Sequence, residues 1–177
     1  PGAKECCLEL NSLSKAHNMA GWRIGMVAAD KEIIAQILKV KSQMDSGMFK
    51  PLQLAAIEAL RQGPEWFKEL NQEYAVRRVL AGDIFDLLGA EYDKNSSGMF
   101  LWGKVNPESS LLNGQYEEGV SLGQQMSDKI LYEAGVFITP GFIFGSNGER
   151  YIRISLCAKN EKMEEALKRI KRLELKN

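Results

Sequence analysis

From Asp30 to Leu88 the apolar residues recur at three- and four-residue intervals, a spacing that predicts helices. Asp30 reads as an N-cap ahead of Ile33, Ile34, Ile37, Leu38 and Val40, which predict a helix to about Met44. The turn-forming stretch DSGMFKP (45–51) breaks the pattern, and LQLAAIEAL (52–60) resumes it as a short helix ended by Gly63. Pro64 suits the first turn of the next helix, where its missing N–H costs nothing. Trp66, Phe67, Leu70, Tyr74, Leu80, Ile84, Leu87 and Leu88 then mark one long helix that Gly89 stops. At 1.5 Å per residue it would run about 35 Å, enough to connect two domains, with Gly82 as a candidate bend.

On either side of this helical stretch the pattern shortens. ECCLELNSLSK (5–15) alternates weakly and predicts a short strand running into a loop, while WRIGMVAA (22–29) is a compact apolar run that predicts a buried strand. After residue 92 strands and helices interleave. GMFLWGKV (98–105), GVFITPG (135–141) and RYIRISLC (150–157) read as strands, and EEGVSLGQQMSDKILYEA (117–134) as a helix. Asn160 is expected to cap a last helix with Met163, Ala166, Leu167, Ile170 and Leu173 on one face. The expected fold class is α+β: a short leading piece, a long connecting helix and a small αβ domain.

Composition narrows the chemistry. The 177 residues carry 23 basic and 23 acidic side chains, for a formal net charge of zero. That leaves no electrostatic footprint for nucleic acid or an anionic membrane, and KRIKR (168–172) reads as a solvated helix face. No apolar run reaches the ~20 residues of a membrane span. The three cysteines form neither a disulfide framework nor a zinc pattern, so a reducing, cytoplasmic setting and no metal are expected. His17, the single histidine, makes Ser-His-Asp and Cys-His nucleophilic sites improbable and reads as a polar loop residue. Because the chain opens on Pro1 rather than Met, a processed or excerpted polypeptide is expected.

The stretch NSLSKAHNMAGWRIGMVAAD (11–30) gathers a primary amine, a guanidinium, two hydroxyls and two glycines. A lysine that attacks a carbonyl must lose its proton part of the time, and partial desolvation and a nearby positive charge both favour that. Arg23 could supply the charge and also bind a phosphate in bidentate fashion. Ser12 and Ser14 offer hydroxyl donors, and Gly21 and Gly25 let backbone approach closely. The set suits a lysine that condenses with an aldehyde whose phosphate tail is anchored beside it, and pyridoxal 5′-phosphate answers that description. Spacing alone is not specific, because Ser-x-Ser-Lys is common and a loop lysine is ordinarily solvated.

SLSKAHNMAGWRIGM resembles the lysine motif of the class I/II aminotransferases, the fold-type-I pyridoxal-phosphate enzymes. Ser12, Ser14, Lys15, Gly21, Arg23 and Gly25 match its Ser-x-Ser-Lys and Arg-x-Gly pattern. The resemblance implies that Lys15 is the Schiff-base lysine and proton shuttle, and that Ser12, Ser14 and Arg23 bind the cofactor. GVFITPGFIFGSNGERYIRISLC is similar to the family's late segment, which implies that Arg153 grips the substrate α-carboxylate; without that motif Arg153 would read as an outward-facing strand arginine. SGMFLW (97–102) is similar to a strand of the family's small domain.

The resemblance covers essentially the whole chain but only the later part of the family's length. The chain is therefore expected to be the C-terminal portion of such an enzyme, inactive alone. Residues 1–45 would be a remnant of the large cofactor-binding domain, 46–91 the connecting helices and 92–177 the small domain. The implied activity is transfer of an amino group between an amino acid and a 2-oxo acid, in a homodimer. Two alternatives stay open: a lyase or synthase on the same fold, such as a carbon–sulfur lyase, and an inert dimerising fragment.

Overall fold

The computed structural model describes residues 2–112, 114 and 117–174; Pro1 and residues 175–177, at the outer ends of the expected segments, lie outside the described residues. The chain divides into two units, Pro1–Phe67 and Lys68–Asn177, each with its own core.

The first unit holds helix α1 (Ala3–Cys6), strand β1 (Glu9–Ser12), the one-turn helix α2 (Leu13–Ala16), a 3-10 turn at Ala20–Trp22, strand β2 (Gly25–Ala28), helices α3 (Lys31–Met44) and α4 (Lys50–Leu60), and the start of α5 (Pro64–Leu87). β1 and β2 pair antiparallel, with Glu9 opposite Ala28 and Ser12 opposite Gly25, so residues 13–24 are the connection of a hairpin. Leu13, Met19 and Ile24 turn inward from that connection and form a small core with Ala56 of α4. Asp30 caps α3 as its sequence position predicts, its Oδ1 accepting from the Glu32 N–H at 2.8 Å.

One expectation changes here. The strand expected over 22–29 shrinks to β2, because the Trp22 N–H bonds the Met19 carbonyl at 3.1 Å and keeps residues 20–22 in a turn. β2 is exposed, Met26 54% and Val27 38%, as an apolar strand that lacks the large domain's neighbours is expected to be, since a two-stranded ribbon has no second layer to cover its side chains.

The second unit continues α5 and adds β3 (Ala90–Tyr92), β4 (Phe100–Val105), α6 (Leu122–Ala134), β5 (Thr139–Pro140), β6 (Tyr151–Ser155) and α7 (Asn160–Glu174). Its sheet has the order β3-β4-β6-β5 with every pairing antiparallel. Leu101 and Val105 of β4 and Ile152 and Ile154 of β6 point into a core shared with Ile84 and Phe85 of α5, Leu88 just after it, Met126 and Ile130 of α6, and Met163 and Ile170 of α7. The alternate residues Phe100, Trp102, Tyr151 and Arg153 occupy the opposite face of the sheet.

Polar groups tie this core down. Ser127 is buried and donates to the Ile138 carbonyl at 2.5 Å, and buried Ser109 donates to the Leu88 carbonyl at 2.8 Å. Asn160 is the first residue of α7 rather than its cap. Its side chain instead accepts from Arg77 Nε at 3.2 Å, while Arg77 also reaches the Leu156 carbonyl at 3.1 Å and so joins α5 to the start of α7. Gly82 makes room for the Tyr92 hydroxyl, against which a Cβ would collide.

Gly103 plays a similar part under Phe85: a Cβ there would lie 2.6 Å from the ring of a fully buried side chain. Gly103→Ala is expected to cost about 1–3 kcal/mol by overpacking, read as a lower urea midpoint with an unchanged slope. Combining it with Phe85→Leu, which vacates the space, should cost less than the sum of the two single changes.

Candidate functional site

The two halves of the candidate chemistry lie in different units. In the first, Ser12 is both the last residue of β1 and the N-cap of α2. Its Oγ accepts from the Ser14 N–H at 3.1 Å and donates to Ser14 Oγ at 2.9 Å. This cap starts the helical turn and sets two hydroxyls side by side. Lys15 follows on the exposed side of the turn, because Leu13 occupies the inward position. It thus stands on a one-turn helix and not in an open loop.

Arg23 is held by an unusual backbone. With φ 52° it adopts the left-handed conformation, uncommon outside glycine. That twist sends Ile24 into the core, where its carbonyl accepts from the Leu13 N–H at 3.3 Å. The exposed guanidinium folds back to donate to the Ala20 carbonyl at 3.1 Å. Gly25 follows because a Cβ there would lie 2.7 Å from the Asn11 carbonyl oxygen, backbone that cannot give way; Gly21 faces open space, so close approach is Gly25's role alone. The Arg-x-Gly pattern therefore has a local reason: the twist, the inward residue, and the crossing onto β1. Ser12 opposite Gly25, with Arg23 two residues before it, sets hydroxyls and guanidinium at the closed end of one hairpin. A donor set of two hydroxyls and a planar cation fits a phosphate monoester, and the neighbouring amine fits an aldehyde on the same molecule.

His17, read from sequence as a polar loop residue, packs instead. Its ring stacks on Trp66 at 5.8 Å and meets Phe67 edge-on at 5.4 Å, and its buried Nδ1 has no hydrogen-bond partner.

In the second unit Arg153 lies on β6 between Trp102 of β4 and Thr139 of β5. Its guanidinium carbon is 4.4 Å from the Phe100 ring centroid, 4.3 Å from that of Phe144 and 6.0 Å from that of Trp102. Arg153 Nε is buried and lacks a hydrogen-bond partner. Aromatic faces attract the cation without satisfying its N–H groups, so the half-buried guanidinium keeps donor capacity for an anion. Sequence reading named Arg153 but missed its cage. The signal lay in the period-2 pair Phe100 and Trp102, and in Phe144 just before a glycine.

Phe144 is delivered by a loop that only glycines permit. A Cβ at Gly141 would run into the Gly148 carbonyl and one at Gly148 into the Gly141 carbonyl, so the loop crosses itself backbone to backbone. Gly145, at φ 119° and ψ 169°, occupies a region open essentially to glycine alone. Gly123 of α6 seals the arrangement by donating its N–H to the Glu149 carbonyl at 2.8 Å.

A family model described as Aminotransferase class I and II matches residues 2–170. An LL-diaminopimelate aminotransferase of Aquifex aeolicus is 39% identical over 99% of this chain and 42% of that protein. One from Maridesulfovibrio salexigens is 36% identical over 98% of this chain and 42% of its own length. Among solved structures, substrate-bound BacF from Bacillus subtilis has a TM-score of 0.81 at 34% identity, covering 98% of this chain and 42% of its own. An aromatic aminotransferase from Pyrococcus horikoshii OT3 has a TM-score of 0.80 at 30% identity, with coverages of 99% and 44%. The chain thus spans about two fifths of the length of the relatives it matches, which fits a C-terminal portion.

Gly148→Ala is expected to force the crossing apart and lower stability by about 1–3 kcal/mol, measured by urea unfolding. Because Phe144 stacks edge-on to Trp102 at 5.2 Å, the near-ultraviolet dichroism of Trp102 should also weaken while the far-ultraviolet signal is kept.

Proposed function

The chain belongs to the class I and II aminotransferases, and from that premise we propose that it forms the C-terminal portion of a pyridoxal-phosphate enzyme moving amino groups between an amino acid and a 2-oxo acid. On this reading residues 1–45 belong to the cofactor-binding domain, 46–91 connect, and 92–177 form the small domain of a cytoplasmic homodimer. The observation that carries it is Arg153: a guanidinium clasped by Phe100 and Phe144 whose buried Nε has no partner.

Each residue has a task that its surroundings suit. Arg153 binds the α-carboxylate of the amino acid, a bidentate contact that also excludes water and fixes which way the amino group points. Ser12, Ser14 and Arg23 hold the cofactor phosphate through two hydroxyl donors and one planar cation. Pyridoxal phosphate, when bound, supplies an aldehyde for the Lys15 amine and a ring that accepts electrons. With that group bound, the Lys15 amine would be its covalent partner and the base placed to move a proton at the substrate Cα. The exposed position of Lys15 in these residues means that the wall desolvating it comes from elsewhere in the enzyme, and on this reading the chain alone is inactive.

Relatives named LL-diaminopimelate aminotransferase make that diamino diacid the first amino donor to assay. Solved relatives named for aromatic and aspartate transamination supply the comparison substrates. A requirement for a 2-oxo acid acceptor separates transfer from the lyase reading.

The test uses the complete enzyme carrying these residues. Reduction with borohydride in the presence of pyridoxal phosphate should leave one stoichiometric adduct at Lys15 by mass spectrometry; labels scattered over surface lysines would overturn the assignment and favour the inert-fragment reading. Arg153→Gln should raise KM for the amino acid about 10- to 100-fold, with the Lys15 adduct still formed. An unchanged KM would remove Arg153 from the carboxylate role.

A further inference from the structure

We propose that Asp93 forms a second subsite beside Arg153, which receives a cationic group at the far end of the substrate side chain. The inference rests on the reading of Arg153 as the carboxylate anchor and adds a substrate class to it: amino acids whose side chains end in an ammonium or guanidinium.

A cleft of about 460 Å³ lined partly by Arg153 lies along the β5 side of β6. On the other side, against β4, a separate cleft of about 380 Å³ is lined by Asp93, Ser96, Ser97, Phe100 and Trp102. Phe100 and Trp102 are also the rings nearest Arg153 on that side, at 4.4 and 6.0 Å from its guanidinium carbon. One aromatic wall therefore serves both the carboxylate anchor and the cleft, and a substrate held by Arg153 can run its side chain along that wall.

Strand register sets the span. Tyr92 pairs with Gly103, and Trp102 pairs with Arg153. Asp93 follows the last paired residue of β3 and lines the same cleft as Trp102, so carboxylate, aromatic ring and guanidinium stand in that order across the sheet. Two strand spacings separate the ends of this row, about 10 Å between backbones, and four or five methylenes bridge the gap between the charged tips. A shorter side chain leaves Asp93 unmet.

Asp93 is the ionisable side chain among the described residues that line the cleft, and it is exposed there. The neighbouring Lys94 is drawn onto the Tyr92 ring, 6.0 Å from its centroid, and does not line the cleft. Asp93 Oδ1 accepts the Asn95 N–H at 2.8 Å, which fixes the carboxylate's orientation. A carboxylate has about four acceptor positions in all, so one such bond leaves room for a cation. The Ser97 hydroxyl adds a neutral acceptor. Arg78 steadies this rim, donating to the Gly98 carbonyl at 2.8 Å and to Ser96 Oγ at 3.3 Å.

The experiment is a binding titration of the 177-residue chain with hexanoate and 6-aminohexanoate, followed through the NMR signals of the Trp102 indole and the Arg153 side chain. 6-Aminohexanoate should bind about 5- to 10-fold more tightly than hexanoate. Asp93→Asn should erase that difference and leave hexanoate affinity unchanged. Equal affinities in the unaltered chain, a preference that survives Asp93→Asn, or no binding of either probe would overturn the subsite. Arg153→Gln separates this inference from the reading beneath it. Loss of both probes in that variant upholds the anchor, while hexanoate binding that persists there unseats the anchor whatever Asp93 does.

Discussion

The pairing of β6 with β4 in one register is the constraint on which the second unit depends. With Trp102 opposite Arg153 and Gly103 opposite Ile152, alternation sends Ile152 and Ile154 into the core and Arg153 to the other face. A slip of one residue would bury a guanidinium among leucines and expose two isoleucines, a cost of several kcal/mol on either count. The core specifies the register, and the register specifies which face carries the cation. Gly103 enters twice, as the partner of Ile152 and as the gap that admits Phe85, so the packing that holds α5 against the sheet and the placement of Arg153 share one residue.

The first unit works by different means. Among the described residues its core is four buried side chains, Leu13, Met19, Ile24 and Ala56, too few to determine a structure by packing alone. Local devices set the geometry of the Lys15 turn instead: the Ser12 cap, the left-handed Arg23, and Gly25 crossing tightly over Asn11. The same motif residues that the family resemblance links to chemistry therefore also shape the backbone. Ser12 is a cap as well as a hydroxyl donor, and Arg23 twists the chain as well as carrying charge. Loss of function on changing either would mix the two effects, so Lys15, which neither caps nor twists, is the cleaner probe of chemistry.

Legibility from sequence followed the range of the interactions involved. α3, α4 and α5 were legible because capping residues and three-to-four periodicity are local, and Asp30 and Pro64 mark two of their starts. β3 was not legible: Ala90–Tyr92 becomes a strand through its pairing with Val105–Gly103, a contact that its own three residues do not announce. β5 shrank to two residues because Gly135, at φ 65°, ends α6, which the apolar run does not announce, while the turn at Gly141 follows the Pro-Gly pair that marks it in sequence. The family resemblance named Lys15 and Arg153, whereas the Phe100 and Phe144 rings around Arg153 come from residues 44 positions apart and needed the fold to bring them together. His17 was misread because polarity alone suggested solvent, and Trp66, 49 positions away, supplies its stacking surface.

The two candidate sites consequently differ in how well each is organised before any ligand arrives. Arg153 sits on a strand whose neighbours on both sides are paired, beside a core that includes fully buried Phe85, Leu101, Ile152 and Leu156. Little remains for a carboxylate to order there, so most of the contact energy is available for binding. Lys15 sits on an exposed single turn, and a ligand bridging Ser12, Arg23 and the amine would have to order those side chains as it binds. On the proposed reading the substrate's carboxylate grip is intrinsic to residues 92–177, while the amine becomes competent only with the walls that the rest of the enzyme provides. The free-energy cost of assembling the site then falls on the cofactor half, where a phosphate and two hydroxyls offer the strongest contacts to offset it.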